Sequence, residues 1–253
     1  MFKGTIAIKP FITMLSMAEA VNHITVLKIT NEGLEYKVKD AFALLDFTMP
    51  RKTFIQYDYD HDDGKDIFLI LRPAEVLRFF MDINDGYVRL CIDDNNNVMN
   101  IRHEIQNRIT DFTTAITTAV SASAIVSTDV IANAYPEKVP DFTPVVKLLI
   151  MRDLLLEAIE RIGISRYFRL VINDEAISFR QPYVSLSYKY GKDVSMKMYD
   201  KLEACHDVLA LVPILKAVPD CNYIMLYGDK IGNLKLEFLL PFKCNANYYV
   251  WAV

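Results

Sequence analysis

Glycine is scarce in this chain, with eight in 253 residues, and none of them forms a G-x-G-x-x-G or G-x-x-x-x-G-K run. The glycine-rich cradles that hold nucleotide phosphates are therefore excluded. Cysteine is sparse as well. Cys91, Cys205, Cys221 and Cys244 lie far apart with no C-x-x-C pair, which points to reduced thiols and away from a zinc knuckle. The four histidines, His23, His61, His103 and His206, show no i, i+4 pairing, and no G-x-S-x-G frames a nucleophile. Each reads as a structural or surface residue, so neither a catalytic residue nor a cofactor is expected. No apolar run approaches the roughly 18 residues of a membrane span, and the N-terminus carries no signal-peptide pattern. A soluble intracellular protein with no membrane partner is the expectation.

An excess of positive charge is also missing. The net charge is −4, with 24% charged residues, so the protein is not coated in basic surface, although a local basic stripe fits within that total. The acidic run Asp58 to Asp66 invites comparison with a calcium loop, since Asp58, Asp60 and Asp62 match loop positions 1, 3 and 5. Position 6, normally glycine, is Asp63, and position 12, normally glutamate, is Leu69. A solvated acidic loop is the better reading, and no metal is expected.

What the chain has in abundance is core-forming material, 52% hydrophobic residues, enough for one large domain or two of about half the length. Its most regular stretch is Asn22 to Pro50, which reads as three antiparallel strands. Leu34, Tyr36 and Val38 alternate with Glu35, Lys37 and Lys39, and Asn31-Glu32-Gly33 supplies the turn, with Gly33 free to take a positive φ. A similar unit returns from Tyr167 to Tyr190, where Ile177 and Phe179 alternate with Ser178 and Arg180. Placing Leu34 on Ile177 also aligns a short strand and a helix before each unit. The chain reads as one module used twice.

Taken in order, Phe2 to Ile8 reads as a strand, followed by a helix with Phe11, Met14, Leu15 and Ala18 on its apolar face. After the three strands come a polar connection (51–65), a strand (67–71), and a short helix opened by Pro73 with Val76, Leu77 and Phe80 on its buried side. Strands at 87–92, 98–105 and 109–118 complete the first half. Ser121 to Pro144 is small, polar and proline-bearing, an extended linker. The second half reads as a strand (145–150), a helix (152–162), the repeated unit, a strand (206–211), a short helix (213–218), and strands at 222–227, 234–240 and 247–253. Each half is thus β-α-β-β-β-β-α-β-β-β. The fold class is α+β in two duplicated domains, 1–120 and 145–253, joined by 121–144.

The chain resembles the sliding-clamp family of proliferating cell nuclear antigen (PCNA) and the archaeal clamps. The likeness rests on ITNEGLEYKVKD with Gly33 and Asp40, ILKAVP around Lys216, the YPE of Tyr135 to Glu137, and the close LKLEFLLPF…YYVWAV. It covers nearly the whole chain through joint order, spacing and duplication rather than one strong motif. The resemblance implies a DNA-clamp (processivity) fold, with helices inside a ring around duplex DNA and antiparallel sheets outside. It implies a non-enzymatic polymerase processivity factor, usually a homotrimer, which tethers replication and repair enzymes through short peptides and is placed on DNA by a clamp loader. The compartment would be the nucleus in a eukaryote and the cytoplasm in an archaeon or a viral infection.

By the same resemblance, Lys9, Arg78, Arg152, Arg161 and Lys216 would contact DNA phosphates, the sequence-independent feature a clamp meets. Subunits would join edge to edge through Thr110, Phe112, Thr114 and Ile116 of one copy and Val184, Leu186 and Tyr188 of the next. Partner peptides would dock on Leu44, on Val130, Ile131 and Tyr135 of the linker, and on Tyr249 and Trp251. The chain also departs from the family. Met14 and Ser16 stand where lysines are expected, Asp153, Glu157 and Glu160 make the third helix acidic, and Trp251 occupies a position usually small, without the usual following proline and basic residue. These departures admit an alternative, a subunit of a heteromeric or checkpoint-type clamp, or a non-ring processivity or transcription factor. A protein-interaction scaffold that no longer holds DNA is a further possibility.

Overall fold

The computed structural model describes residues 2–60, 66–81, 83, 85–92, 99–104, 139, 141–163, 165–191, 194–198 and 201–253. The chain divides into two compact units. One comprises Met1–Val38, Asp46–Glu137 and Phe242–Cys244, and the other Lys39–Leu45, Lys138–Pro241 and Asn245–Val253. The expected boundary was a simple cut at the linker; instead, a short segment from each half groups with the other.

The first half runs β1 (Phe2–Ala7), α1 (Ile8–Val21), β2 (Thr25–Thr30), β3 (Gly33–Lys39), β4 (Ala43–Pro50), a 3-10 turn (Arg51–Thr53), β5 (Gln56–Tyr59), β6 (Ile67–Leu71), α2 (Pro73–Phe79), β7 (Tyr87–Ile92) and β8 (Met99–Glu104). The second runs β9 (Pro144–Met151), α3 (Arg152–Ile162), β10 (Tyr167–Ile172), β11 (Ala176–Arg180), β12 (Ser185–Lys189), β13 (Val194–Met198), β14 (Leu202–Asp207), α4 (Val208–Lys216), β15 (Tyr223–Asp229), β16 (Leu234–Phe238) and β17 (Asn245–Val250).

The duplication seen in the sequence is a duplication of pairing. β1 lies between β5 and β7, and β9 lies between β13 and β15. β2 lies between β3 and β6, and β10 between β11 and β14. Even the register agrees: Ile29 faces Leu34 across β2–β3, and Ile172 faces Ile177 across β10–β11. Leu34 and Ile177 are therefore equivalent in space as well as in the aligned pattern. One residue of slip would turn either set of apolar side chains out to water.

Helices α1 and α3 form where their apolar faces predict. α1 buries Phe11, Met14, Leu15 and Ala18, and α3 buries Leu155, Ala158, Ile159 and Ile162. Each large apolar side chain so buried contributes roughly 1.5–3 kcal/mol. Gly33 opens β3 at φ 147°, and a Cβ there would collide with the Met49 carbonyl oxygen. The β2–β3 turn thus requires glycine for space as well as for φ. No helix among the described residues is long and apolar enough to cross a membrane.

The structure adds two strands and moves one strand and one helix. The 51–65 connection contains β5, which pairs with β1 from Phe2↔Tyr59 to Thr5↔Gln56. Four residues with one buried side chain, Tyr57, carry too little alternation to announce a strand; the tertiary partner makes it one. Its counterpart β13, pairing with β9, is likewise absent from the sequence reading, so each half holds five strands between its helices rather than four. The strand expected at 206–211 ends instead at Asp207, and the helix expected from Pro213 begins at Val208. Asp207 caps that helix, its Oδ1 accepting the Leu209 N–H at 2.8 Å, and Pro213 sits inside it. Proline marks first helical turns so well that it drew the expected start too late. The expected strand 109–118, and linker residues 121–138 and 140, lie outside the described residues.

Candidate functional site

Each unit carries a packed pair of helices, α1 with α2 and α3 with α4. In the first pair, Glu19 of α1 reaches the start of α2, its Oε2 accepting the Ala74 N–H at 3.2 Å. A carboxylate there satisfies an orphan N–H and complements the helix dipole. Its other oxygen meets His23 Nδ1 at 2.6 Å. Lys9 of α1 and Arg78 of α2 are exposed, and neither has an ion-pair partner among the described residues. Lys9 also lines a cavity of about 410 Å³ together with Lys52 and Lys243, opposed by Asp85. Sequence reading missed Lys52 and Lys243, because they lie in turns far apart along the chain and only the fold brings them beside Lys9.

The second pair treats its cations differently. Lys216 Nζ of α4 lies 2.7 Å from Glu160 Oε1 of α3, and Arg161 pairs with Glu157 at 2.5 Å, one turn back on α3. Arg152 is largely buried, its side chain 13% exposed. Its guanidinium donates to the Pro219 and Cys221 carbonyls at 3.0 and 3.5 Å and meets Asp153 at 3.1 Å. Arg152 therefore ties the loop after α4 to the start of α3. Across the four helices, Lys9, Arg78, Arg152, Arg161 and Lys216 are matched one for one by Glu19, Glu75, Asp153, Glu157 and Glu160. The cations without a local carboxylate partner lie in the first unit.

β12 is an edge strand, paired with β11 on one side only among the described strands. Leu186 and Tyr188 face Phe179 and Ile177 across the pair, so both point to the buried side of the sheet, and Tyr188 packs edge-on against Phe179 at 6.3 Å. Val184 precedes the strand, in a turn closed by the Gln181 N–H donating to its carbonyl at 2.8 Å. What the edge offers outward is backbone, flanked by Ser185, Ser187 and Lys189. Thr110, Phe112, Thr114 and Ile116 lie outside the described residues.

The C-terminal cluster is drier than a docking surface needs. Leu44 and Tyr249 are buried, at 2% and 8% exposure, and Trp251 is half-buried. The Tyr249 ring meets Phe142 edge-on at 6.1 Å and lies under the Lys235 ammonium at 5.9 Å. Phe42, absent from the sequence reading, is the more exposed aromatic; the Arg166 guanidinium covers its ring at 5.8 Å. The segment after β17 is held by three consecutive N–H groups. Trp251 donates to the Phe42 carbonyl at 3.0 Å, Ala252 to Asn233 Oδ1 at 3.1 Å, and Val253 to the Cys205 carbonyl at 3.0 Å. Val130, Ile131 and Tyr135 lie outside the described residues.

The remaining chemistry is structural. His103 is buried, its Nε2 at 2.8 Å from the Asp85 carbonyl. Burial pushes the Cys221 and Cys244 thiols up to about 11, far from the thiolate a nucleophile needs. Asp58, the first residue of the acidic run, stands in β5 rather than in a loop and accepts a hydrogen bond from Gln56 Nε2 at 2.6 Å. No group of three or more histidine, cysteine or acidic side chains placed to hold a metal occurs among the described residues.

Neither a family model nor a curated protein sequence matches this chain. Solved structures do. PCNA from Thermococcus kodakaraensis is similar over 100% of both chains, with a TM-score of 0.77 at 14% identity. PCNA of A. fulgidus, in a structure with the C-terminal region of FEN-1 bound, is similar over 100% of this chain and 98% of that one, with a TM-score of 0.78 at 13% identity. At such identities the likeness is one of fold, and the fold is that of the PCNA-like sliding clamps.

Proposed function

We propose that this chain is a subunit of a DNA sliding clamp, a non-enzymatic ring, most simply a homotrimer, that encircles duplex DNA and tethers a polymerase and other replication and repair enzymes. The observation that carries the reading is the full-length likeness in fold to clamps. The repeated helix pair, one in each unit, agrees with it. Lys9 and Arg78 are the first candidates for phosphate contact, with Lys216 and Arg161 available once their carboxylate partners give way. β12, which carries Leu186 and Tyr188, ends its sheet among the described strands, and its open backbone suits pairing with residues 110–116 of a second copy. Because A. fulgidus PCNA holds the C-terminal region of FEN-1, short peptides of clamp-binding proteins are the proposed partners here too. They would meet the exposed Phe42 and the half-buried Trp251, with Leu44 and Tyr249 buried. A clamp loader is the remaining partner this function requires.

The test is native mass at several concentrations beside retention on nicked circular and linear duplex DNA. A trimer kept on circles and lost from linear ends establishes the topological clamp. A chain that stays monomeric at micromolar concentration and binds both DNAs alike rules it out.

A second reading is favoured by one observation: the α3 and α4 cations are paired with Glu157 and Glu160. Helices that offer phosphate so little net charge suit a heteromeric clamp in which another subunit supplies the basic lining. Ring formation only on mixing with a second, more basic subunit would select this reading.

A further inference from the structure

Arg169 of β10 and Arg180 of β11 stand directly opposite each other in the register of the second unit. Their neighbours Leu170 and Phe179 point into the core at 1% and 0% exposure, so both guanidinium groups share the outer face of the sheet, with Cα atoms about 5 Å apart as in any antiparallel pair. Like charges placed this way destabilise a sheet. Arg169 is compensated by Glu203, with Nη1 at 2.9 Å from Oε1. Arg180 has no ion-pair or hydrogen-bond partner among the described residues, and its other cross-strand neighbour is Ser185. Nothing in the packing of the unit requires the repulsion.

The pair opens onto a cavity of about 400 Å³ lined also by Tyr167, Gln181, Pro182 and Cys205. One wall is held in place: Gln181 Nε2 donates to the Ser165 and Tyr167 carbonyls at 3.2 and 3.0 Å. An arginine fork on a strand beside a fixed turn suits a carboxylate, which it can grip through two parallel N–H···O bonds. The positive spot is small. One row along the sheet, the same face carries the buried Ser178 and Val171 and the exposed Glu203. One row the other way stand Tyr167 and the buried Asp207, with the Arg166 guanidinium paired to Asp207 at 2.8 Å and lying over the Tyr167 ring at 5.3 Å. A nucleic acid needs a basic stripe to follow its phosphates, and here Arg166 and Arg169 are each already neutralised, by Asp207 and Glu203, which leaves Arg180 as the uncompensated charge at the cavity. A single acidic side chain, with an apolar neighbour resting on Pro182, fits the charge and the space.

We propose that Arg169 and Arg180 form a docking site for an acidic peptide of a partner protein, one carrying a carboxylate beside an apolar side chain. This site is separate from the helix faces and borders the C-terminal cluster, where Arg166 lies over both Tyr167 and Phe42 and the Val253 N–H donates to the Cys205 carbonyl; its test needs no DNA-bound ring. The probe is a fluorescein-labelled 12-residue peptide of Phe-Glu repeats, read by anisotropy against the full chain. Its counterpart with every Glu replaced by Gln, and a 12-nucleotide single strand of DNA, serve as comparisons. The acidic peptide is expected to bind at least tenfold tighter than the Gln peptide, with Arg180→Ser removing that preference and Arg180→Lys retaining only part of it. Arg180→Ser is also expected to raise the melting temperature, because it relieves the repulsion, so lost binding is not lost folding. Equal binding of the two peptides, a preference that survives Arg180→Ser, or a lower melting temperature in that variant would each overturn the proposal. Tighter binding of the DNA strand through Arg180 would overturn it as well, by giving the site to nucleic acid.

Discussion

Lys216 at the end of α4 holds Glu160 of α3 at 2.7 Å, so a cation proposed to meet phosphate is already occupied by a carboxylate of the neighbouring helix. Both side chains are about half exposed, and such a pair contributes only about 0–1 kcal/mol to stability. The more important effect of Glu160 is on what Lys216 can bind. The double variant Glu157→Gln, Glu160→Gln, which frees Arg161 and Lys216, is expected to strengthen retention on circular DNA. It should steepen the dependence of log affinity on log salt by about 0.9 for each cation that engages a phosphate. Titration between low and moderate salt measures this directly; an unchanged slope would mean that neither cation faces DNA.

β12 presents one unpaired edge among the described strands. Introducing a charge on its buried side (Tyr188→Lys) would disturb the packing on Phe179 as well as any assembly. Ser187→Pro acts on the backbone instead, because proline cannot donate to a ladder. The expected result is a native mass that falls to that of a single chain while the circular dichroism spectrum stays close to the parent's.

His206 is fully buried, its ring 6.0 Å from Phe168. Neither ring nitrogen has a hydrogen bond of good geometry, although the Trp251 backbone lies near enough to offset the effect of burial in part, and the pKa falls from 6.5 to about 4. The folded protein therefore resists a proton that the unfolded chain accepts. The stability this contributes is complete above pH 6.5 and is lost as pH falls toward 4, a change on the order of 3 kcal/mol. Urea midpoints measured across that window should fall more steeply for the parent than for His206→Met.

Tyr57 anchors the strand that the sequence hid. Its hydroxyl donates toward the Thr30 and Gly33 carbonyls at 2.5 and 2.9 Å, while its ring packs edge-on against Phe2 and Phe54. Tyr57→Phe keeps the ring and removes its hydrogen bond, leaving the Gly33 carbonyl with the Thr30 hydroxyl at 3.4 Å, at an expected cost of about 1 kcal/mol read from denaturant midpoints. A neutral result would mean that water replaces the hydroxyl.

Much of this protein was decided locally. The alternation at Leu34, Tyr36 and Val38, its echo at Ile177 and Phe179, and the apolar stripes of α1 and α3 specify strands and helices within a few residues. Period and turn chemistry act at short range, and repetition of the pattern exposes the duplicated α+β plan. The same reading could not find β5 or β13, whose strand character comes from β1 and β9, nor the true start of α4, where the Asp207 cap outweighed the signal at Pro213. It identified Lys216 and Glu160 as opposite charges on separate helices but could not pair them. Nor could it bring Lys52 and Lys243 beside Lys9, or set Arg169 opposite Arg180. Charges act through space, so their effect depends on distances that only packing between elements fixes.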